Sequence, residues 1–498
     1  LAIILVVMIA KTYSSTTLGI EAVLTEVQLD YRIGLPIFNI VGLPDKSVLE
    51  SKDRVIVAIR NSGFEYKPNR LVVNLLPTDL AKTGTHYDLA IAIAYLVASK
   101  QVSQRQNCCF IGELGLDGAV LGVKNINLLL NGLPEGVFQK VYISAQNAKH
   151  IHFDYNLPIV TVNSLVEVIS GKEQVLIAKP ELSTLDEPTS YIWDHIAGNA
   201  KAKRAMQLAL VGGHHILLYG SPGTGKSMLS AAAMELLPKI SAQDLKAVAM
   251  LYERAKQPME FNGHPPIRSP HHSSTLVGML GGGAALMPGE VSLAHKGLLV
   301  LDELSEFKTD LLEALRIPLT EGKITLAKGH KSTTLPCDFQ LVATTNPCAC
   351  GLLGHPTKSC LCTYKQRMEY WKGLSSAIFD RIGILVPMFH VERSEISNVS
   401  AKSVKESVFT ARKLQLERQG KLNNQLQLKD IQNQNWAEYP LAWTELAFRD
   451  EEGSMRRRLN VIRVARTIAD IDQVTISSVQ MSEAVRYSEG GKWSWVSR

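Results

Sequence analysis

One run of residues, Gly220-Ser221-Pro222-Gly223-Thr224-Gly225-Lys226-Ser227, constrains this chain more than any other. It matches G-x-x-x-x-G-K-[ST], a loop that works between a buried strand and the start of a helix. The glycines let backbone N–H groups turn inward around a polyphosphate, where side chains would obstruct. Lys226 can reach β- and γ-phosphates, and the Ser227 hydroxyl can ligate Mg²⁺. The flanks fit this demand. His215-Ile216-Leu217-Leu218-Tyr219 reads as the incoming strand, and Met228 to Leu237 as the outgoing helix, whose N-terminus favours an anion. Such a loop implies an α/β fold that takes ATP with Mg²⁺.

Two further runs supply acids and an amide. Gly297-Leu298-Leu299-Val300-Leu301 is an apolar strand ending in Asp302 and Glu303. Asp302 is placed to hold Mg²⁺ through water, and Glu303 to polarise an attacking water. A third strand, 339–345, ends in Asn346, whose amide can orient that water or sense the γ-phosphate. Arg381 follows a short helical stretch, and Arg456 opens a helix near the C-terminus. Two arginines beyond the core suit transition-state charge stabilisation, one of them supplied by a neighbouring copy. Taken singly, each is more often a surface ion pair.

A chain of 498 residues has room for about three domains. Residues 1–172 read as one α/β unit, with strands at Val23–Leu29, Ile37–Val41 and Leu71–Leu76 and helices at Ser47–Ser62 and Tyr87–Ser99. A Pro-, Ser- and Glu-bearing stretch marks a linker over 173–190. A second α/β unit spans 191–392, and 393–498 is mostly helical. There Lys402–Gln419 and Met455–Asp472 carry helical spacing, with Leu459, Ile462, Ala465 and Ile468 on one face. The apolar run Leu1–Ala10 is too short to span a bilayer and lacks the charged flank of a signal peptide. Met8 is the expected natural start. Seven cysteines in so long a chain suit reduced thiols or metal ligands, hence a cytoplasmic setting without membrane attachment. A net charge of +6 is compatible with a polyanionic partner without requiring one.

The order of these motifs resembles the ComM/YifB family of Mg-chelatase-like AAA+ ATPases over nearly the whole chain. The resemblance rests on specific strings. Among them are Val41-Gly42-Leu43-Pro44-Asp45, Asn61-Ser62-Gly63-Phe64, Arg268-Ser269-Pro270-His271-His272, Pro288-Gly289-Glu290, Asn346-Pro347-Cys348 and Val464-Ala465-Arg466-Thr467. It implies a Lon-protease-like front domain, an AAA+ core with a C-terminal helical lid, and a homohexameric ring with nucleotide at subunit boundaries. By this likeness Lys226 and Ser227 are the Walker A contacts, and Asp302 and Glu303 are Walker B. Asn346 is sensor 1, Arg381 the arginine finger acting in trans, and Arg456 sensor 2. Departures fall near Arg381, where Ser375-Ser376-Ala377 and Phe379 replace the usual Ser-Gly-Pro and Leu and Gly383 replaces an acid, and one helical turn after Arg456, where Asn460 stands in place of a base. Lon proteases carry a nucleophilic serine in Gly-Pro-Ser-Ala-Gly. Here the matching stretch is Gly84-Thr85-His86-Tyr87-Asp88, with His86 in the serine's place, so no activated hydroxyl stands there to attack a peptide bond. The front domain is then a nucleic-acid platform or an assembly collar.

A Gly-, Pro- and His-rich stretch from about 262 to 289 reads as a loop inserted into the core. Residues 322–331 alternate apolar with basic or polar residues and read as a hairpin. In related rings both insertions face the central pore. Lys323, Lys328, His330 and Lys331 would then contact DNA phosphates, or else decorate a solvated hairpin. Cys348, Cys350, Cys360 and Cys362 form two C-x-C pairs that could bind Zn²⁺ or stay as reduced thiols. The resemblance implies an ATP-driven DNA motor, a branch-migration helicase of DNA uptake and recombination, acting on single-stranded or branched DNA. A magnesium-chelatase I-type subunit and a nucleotide-gated scaffold are the alternatives.

Overall fold

The computed structural model describes residues 8–176, 190–259, 262–329, 331–374, 376–390, 399–447 and 455–489. Most of the expected linker, Ser375 and His330 lie outside the described residues. The chain divides into two compact units, Leu1–Leu182 with Ala249–Met259, and Ser183–Val248 with Glu260–Arg498. Among the described residues no helix is long and apolar enough to cross a membrane.

The first unit is built on an eight-stranded mixed sheet. Met8–Leu18 and Glu21–Arg32 form its central antiparallel hairpin, with Leu18 opposite Glu21 across a two-residue turn at Gly19-Ile20. Arg70–Leu76 and Ile37–Val41 extend it on one side, and Cys108–Ile111, Lys140–Ser144, Ile159–Val162 and Gln174–Val175 on the other. Asp88–Ala98 packs on this sheet with almost every residue buried, as its apolar sequence requires. Asp88 enters that core held by Arg54 through two hydrogen bonds, at 2.6 and 3.1 Å, and accepts a further one from the Leu114 N–H at 3.3 Å.

The second unit carries a five-stranded, wholly parallel sheet. Its spatial order is Ile267–Arg268, Leu298–Leu301, Gln340–Thr345, Ile216–Tyr219, Ile384–Pro387. The three central strands are buried at every position; Leu298–Leu301 and Ile216–Leu218 read in sequence as apolar runs, whereas Gln340–Thr345 also buries Gln340, Thr344 and Thr345. Helices Ala200–Gly212, Lys226–Glu235, Ala401–Gln419 and Met455–Asp472 share one apolar core with the sheet. Ile462, Ala465 and Ile468 are buried on the expected face of the last of these, and Leu459 packs at its margin.

The stretch expected to be one inserted loop has more structure than that. It opens with Ile267–Arg268, the edge strand of the sheet, pairing parallel with Leu298–Leu299. Only then come a helical turn, Leu276–Leu280, and a short ladder between Gly281–Gly282 and Met287–Pro288. A two-residue strand leaves too little periodicity to be read among so many Gly, Pro and His residues. The second insertion is a hairpin, Lys323–Lys328 against Lys331–Pro336, with Lys328 opposite Lys331. Ile324 and Leu326 are buried, whereas Lys323 and Lys328 are exposed. The two insertions meet, since a Cβ added to Gly281 would lie 3.1 Å from Leu326 Cδ1.

Candidate nucleotide site

In a parallel sheet the carboxyl ends of the strands share one edge, and ligands settle outside it. Here that edge gathers Gly220 after the first strand, Asp302 and Glu303 after the second, and Asn346 after the third. Gly220 is required by close approach, because a Cβ there would sit 2.3 Å from the Met388 carbonyl oxygen. Gly225, at φ +89°, turns the chain into the helix that starts at Lys226. Thr224 Oγ1 donates to the Ser221 carbonyl at 2.9 Å and closes the loop on itself.

Lys226 Nζ donates to the carbonyls of Gly220 (2.6 Å) and Ser221 (3.1 Å) and to Asn346 Oδ1 (3.4 Å). Burial pushes this ammonium below its ordinary range, against the pull of Asp302 and Glu303. Ser227 Oγ donates to Asp302 Oδ2 at 3.0 Å. Lys226, Ser227, Asp302, Glu303 and Asn346 therefore occupy one cluster. A hydroxyl and a carboxylate in direct contact at a strand tip form a donor pair suited to Mg²⁺.

Thr344 holds the two acids. Its hydroxyl donates to Asp302 Oδ1 and accepts from the Glu303 N–H at 3.1 Å. Glu303 is left-handed, at φ +55°, a conformation costing about 1 kcal/mol or more that such a bond helps to hold. Asn199 clamps the other flank. Its side chain bonds the Phe389 backbone at both N–H (3.1 Å) and carbonyl (3.0 Å) and reaches the Thr224 carbonyl. Neither Thr344 nor Asn199 stands out in the sequence. The available signals were a threonine pair closing an apolar strand and a Gly-Asn step before a helix. Beside the loop lies a largely apolar cavity of about 1060 Å³, bordered by Tyr219, Gly220, Met388, Phe389, Val479 and Tyr487. Its walls suit a flat aromatic ring.

Arg381 and Arg456 do not join this cluster. They border a second cavity, about 670 Å³, with His214, His215, Phe339 and Gly383. His214 and His215 precede the strand Ile216–Tyr219, and Gly220 follows it, so this cavity opens at the opposite edge of the sheet. Four residues of strand put the two edges about 13 Å apart. Arg381 Nε donates to Thr320 Oγ1 (2.7 Å) and to the Arg316 carbonyl (3.1 Å). Burial and the nearby Arg456 and Arg316 lower its affinity for the proton. Arg456 approaches Asp380 at 4.0 Å. Asn460 donates to the Asp380 carbonyl at 3.5 Å, so it contacts the Arg381 segment without adding charge.

Sulfurs of Cys348, Cys350, Cys360 and Cys362 all lie within 4.8 Å of one another. The set is compatible with a metal ion. In the first unit, His86 is buried and its Nε2 donates to the Ser15 carbonyl at 2.8 Å. Burial lowers its pKa to about 4, so the ring is neutral near pH 7.

Three family models match the chain in succession. Residues 193–396 match the model for magnesium chelatase, subunit ChlI, residues 27–147 that for subunit ChlI of Mg-chelatase, and residues 398–488 that for the ChlI C-terminal region. The uncharacterized protein YifB of Escherichia coli is 36% identical over 491 residues, 95% of this chain and 96% of the relative. Competence protein ComM of Haemophilus influenzae is 33% identical over 500 residues, 96% of this chain and 97% of the relative. Lon protease 2 of Bacillus subtilis is 25% identical over 205 residues, 35% of this chain and 37% of the protease.

Proposed function

Because the chain belongs to the ComM/YifB family of Mg-chelatase-like AAA+ ATPases, we propose that it is a cytoplasmic, ATP-driven DNA motor working as a homohexameric branch-migration helicase in DNA uptake and recombination. One observation carries the ATPase part: Lys226, Ser227, Asp302, Glu303 and Asn346 meet at one sheet edge. In this reading Lys226 and the loop N–H groups hold the triphosphate, and Ser227 and Asp302 hold Mg²⁺. Glu303 polarises water and Asn346 orients it. The base enters the apolar cavity beside Gly220. Arg381 and Arg456, at the far edge, serve the nucleotide of a neighbouring copy.

The DNA part rests on the hairpin. Lys323 and Lys328 are exposed on its strand Lys323–Lys328, and they lead to the turn before Lys331. Such contacts would be to phosphates, independent of sequence and weakened by salt. Purified protein should hydrolyse ATP faster with single-stranded or forked DNA, and should assemble as a six-membered ring. If DNA changes neither rate nor assembly, the motor reading fails. The family names also favour a second reading, a chelatase-type subunit driving metal insertion with a protein partner. Stimulation of turnover by a chelatase partner rather than DNA would select it.

A further inference from the structure

Residues 347–363 make a long connection with no strand or helix of its own, set against the nucleotide site. Loops of this length inside a compact unit need a fastening. This one has little apolar material to supply it, and Leu361, at 86% exposure, points to solvent.

The four cysteines fill that role. Cys348 and Cys350 Sγ are 3.5 Å apart, Cys348 and Cys360 3.6 Å, and Cys350 and Cys360 3.5 Å. These are too long for disulfides, whose sulfurs lie about 2.05 Å apart. Four thiolates at about 2.3 Å from a tetrahedral Zn²⁺ would sit about 3.8 Å from one another.

What the cluster touches gives it a purpose. Cys348 is two residues from Asn346. A Cβ added to Gly351 would lie 3.5 Å from Pro222 Cδ and 3.7 Å from Asn346 Cγ, so the turn between the cysteine pairs rests on both the phosphate loop and the sensor amide. The connection ends in a capping box at Thr363 and Gln366. The helix it starts returns Tyr370 to the Asn346 carbonyl (3.0 Å) and Trp371 to the Pro347 carbonyl (3.0 Å). Backbone, cysteine cluster and helix thus enclose Asn346 in a closed circuit.

We propose that Cys348, Cys350, Cys360 and Cys362 bind one Zn²⁺ per chain and that this knuckle positions Asn346 and the phosphate loop, so that zinc occupancy governs ATP turnover. The coupling rests on the ATPase reading, whereas the zinc site does not. The test uses full-length protein and its Cys360→Ser/Cys362→Ser variant, changed at the two partly exposed ligands. Three quantities are measured: zinc by elemental mass spectrometry, Mg-ATP hydrolysis, and affinity for a fluorescent ADP analogue. One zinc per chain is expected in the parent and none in the variant, with kcat reduced about 10-fold or more. Zinc stripped from the parent by a chelator should have the same effect, reversed by adding Zn²⁺ alone. Parent protein that neither retains nor takes up zinc under reducing conditions overturns the site. Zinc loss that leaves kcat unchanged overturns the coupling. If zinc-loaded parent turns over no ATP, the ATPase reading falls instead. The knuckle's positioning role then stands only if zinc loss weakens ADP binding, and falls if it does not.

Discussion

Replacing Thr344 by valine removes one hydroxyl and keeps nearly the same volume at a fully buried position. That hydroxyl fixes both acids at the nucleotide edge, donating to Asp302 and accepting from the Glu303 N–H. A hydrogen bond to a charged group contributes about 1.5–3 kcal/mol. Asp302 and Glu303 are exposed enough to turn toward water once released, so the cost falls on their orientation more than on folding. At about 1.4 kcal/mol per decade, the hydroxyl is worth about 10- to 100-fold in turnover if both acids act in the transition state. The Glu303 backbone, left-handed and then without its acceptor, adds to the loss.

The assay is steady-state Mg-ATP hydrolysis at saturating nucleotide, with particle mass and melting temperature recorded on the same samples. Thr344→Val should lower kcat and raise the Mg²⁺ needed for half-maximal rate. Thr344→Ser keeps the hydroxyl and should recover most of the rate. A valine variant that assembles normally and turns over like the parent would refute the reasoning. So would a serine variant as impaired as valine, since packing rather than the hydroxyl would then be responsible.

Lys226→Ala should abolish turnover, read as loss of phosphate release at any ATP concentration. Arg381→Ala should also be inactive alone, yet mixing it with Lys226→Ala chains should restore part of the rate, because mixed assemblies contain pockets with both groups intact; no recovery on mixing argues against action in trans. Changing Lys323 and Lys328 to alanine should weaken single-stranded DNA binding and lower the log–log salt slope by about 0.7 for each phosphate no longer neutralised, measured by fluorescence anisotropy across a salt series. Buried His86 titrates near pH 4 folded and near 6.5 unfolded, so below pH 6.5 the unfolded chain binds the extra proton. Stability is complete above that point and declines as pH falls toward 4, by up to about 1.4 kcal/mol per pH unit for this residue; urea titrations should show a shallower decline for His86→Gln.

How far the sequence could be read depended on where each signal was stored. Phosphate-loop chemistry is local, so Gly220 to Ser227 and the strand and helix around them were legible at once. Ile37–Val41 and Met455–Asp472 lie where periodicity put them. Ser47–Ser62 is broken at Glu50 into two short helices, Lys46–Leu49 and Ser51–Asn61, a break that helical spacing does not record. Met8–Leu18 was missed as a strand because Lys11, Thr12, Ser14, Ser15 and Thr16 give no apolar alternation. Partners distant in sequence bury Thr12, Ser14, Ser15 and Thr16, and Thr12 donates to the Ala90 carbonyl. Thr344 was illegible as an organiser of the acids because its role exists only once two strands lie side by side.

The separation between the sheet edges has a consequence for where catalysis can reside. Four-residue strands, about 13 Å long, put Lys226 and Asp302 at one edge of the sheet, while Arg381 and Arg456 border the cavity at the other. A guanidinium on its side chain reaches about half that span, and Arg381 is already turned toward Thr320 and Arg316. Docking a second copy edge to edge requires only that two rigid surfaces meet. In the proposed assembly an isolated chain can therefore bind nucleotide but lacks the positive charge that stabilises its transition state. Turnover per chain should then rise steeply with protein concentration and level off where mass measurements show assembly complete. Turnover that stays constant from dilute monomer to full assembly would place the stabilising charge within the chain itself and remove the reason for a ring.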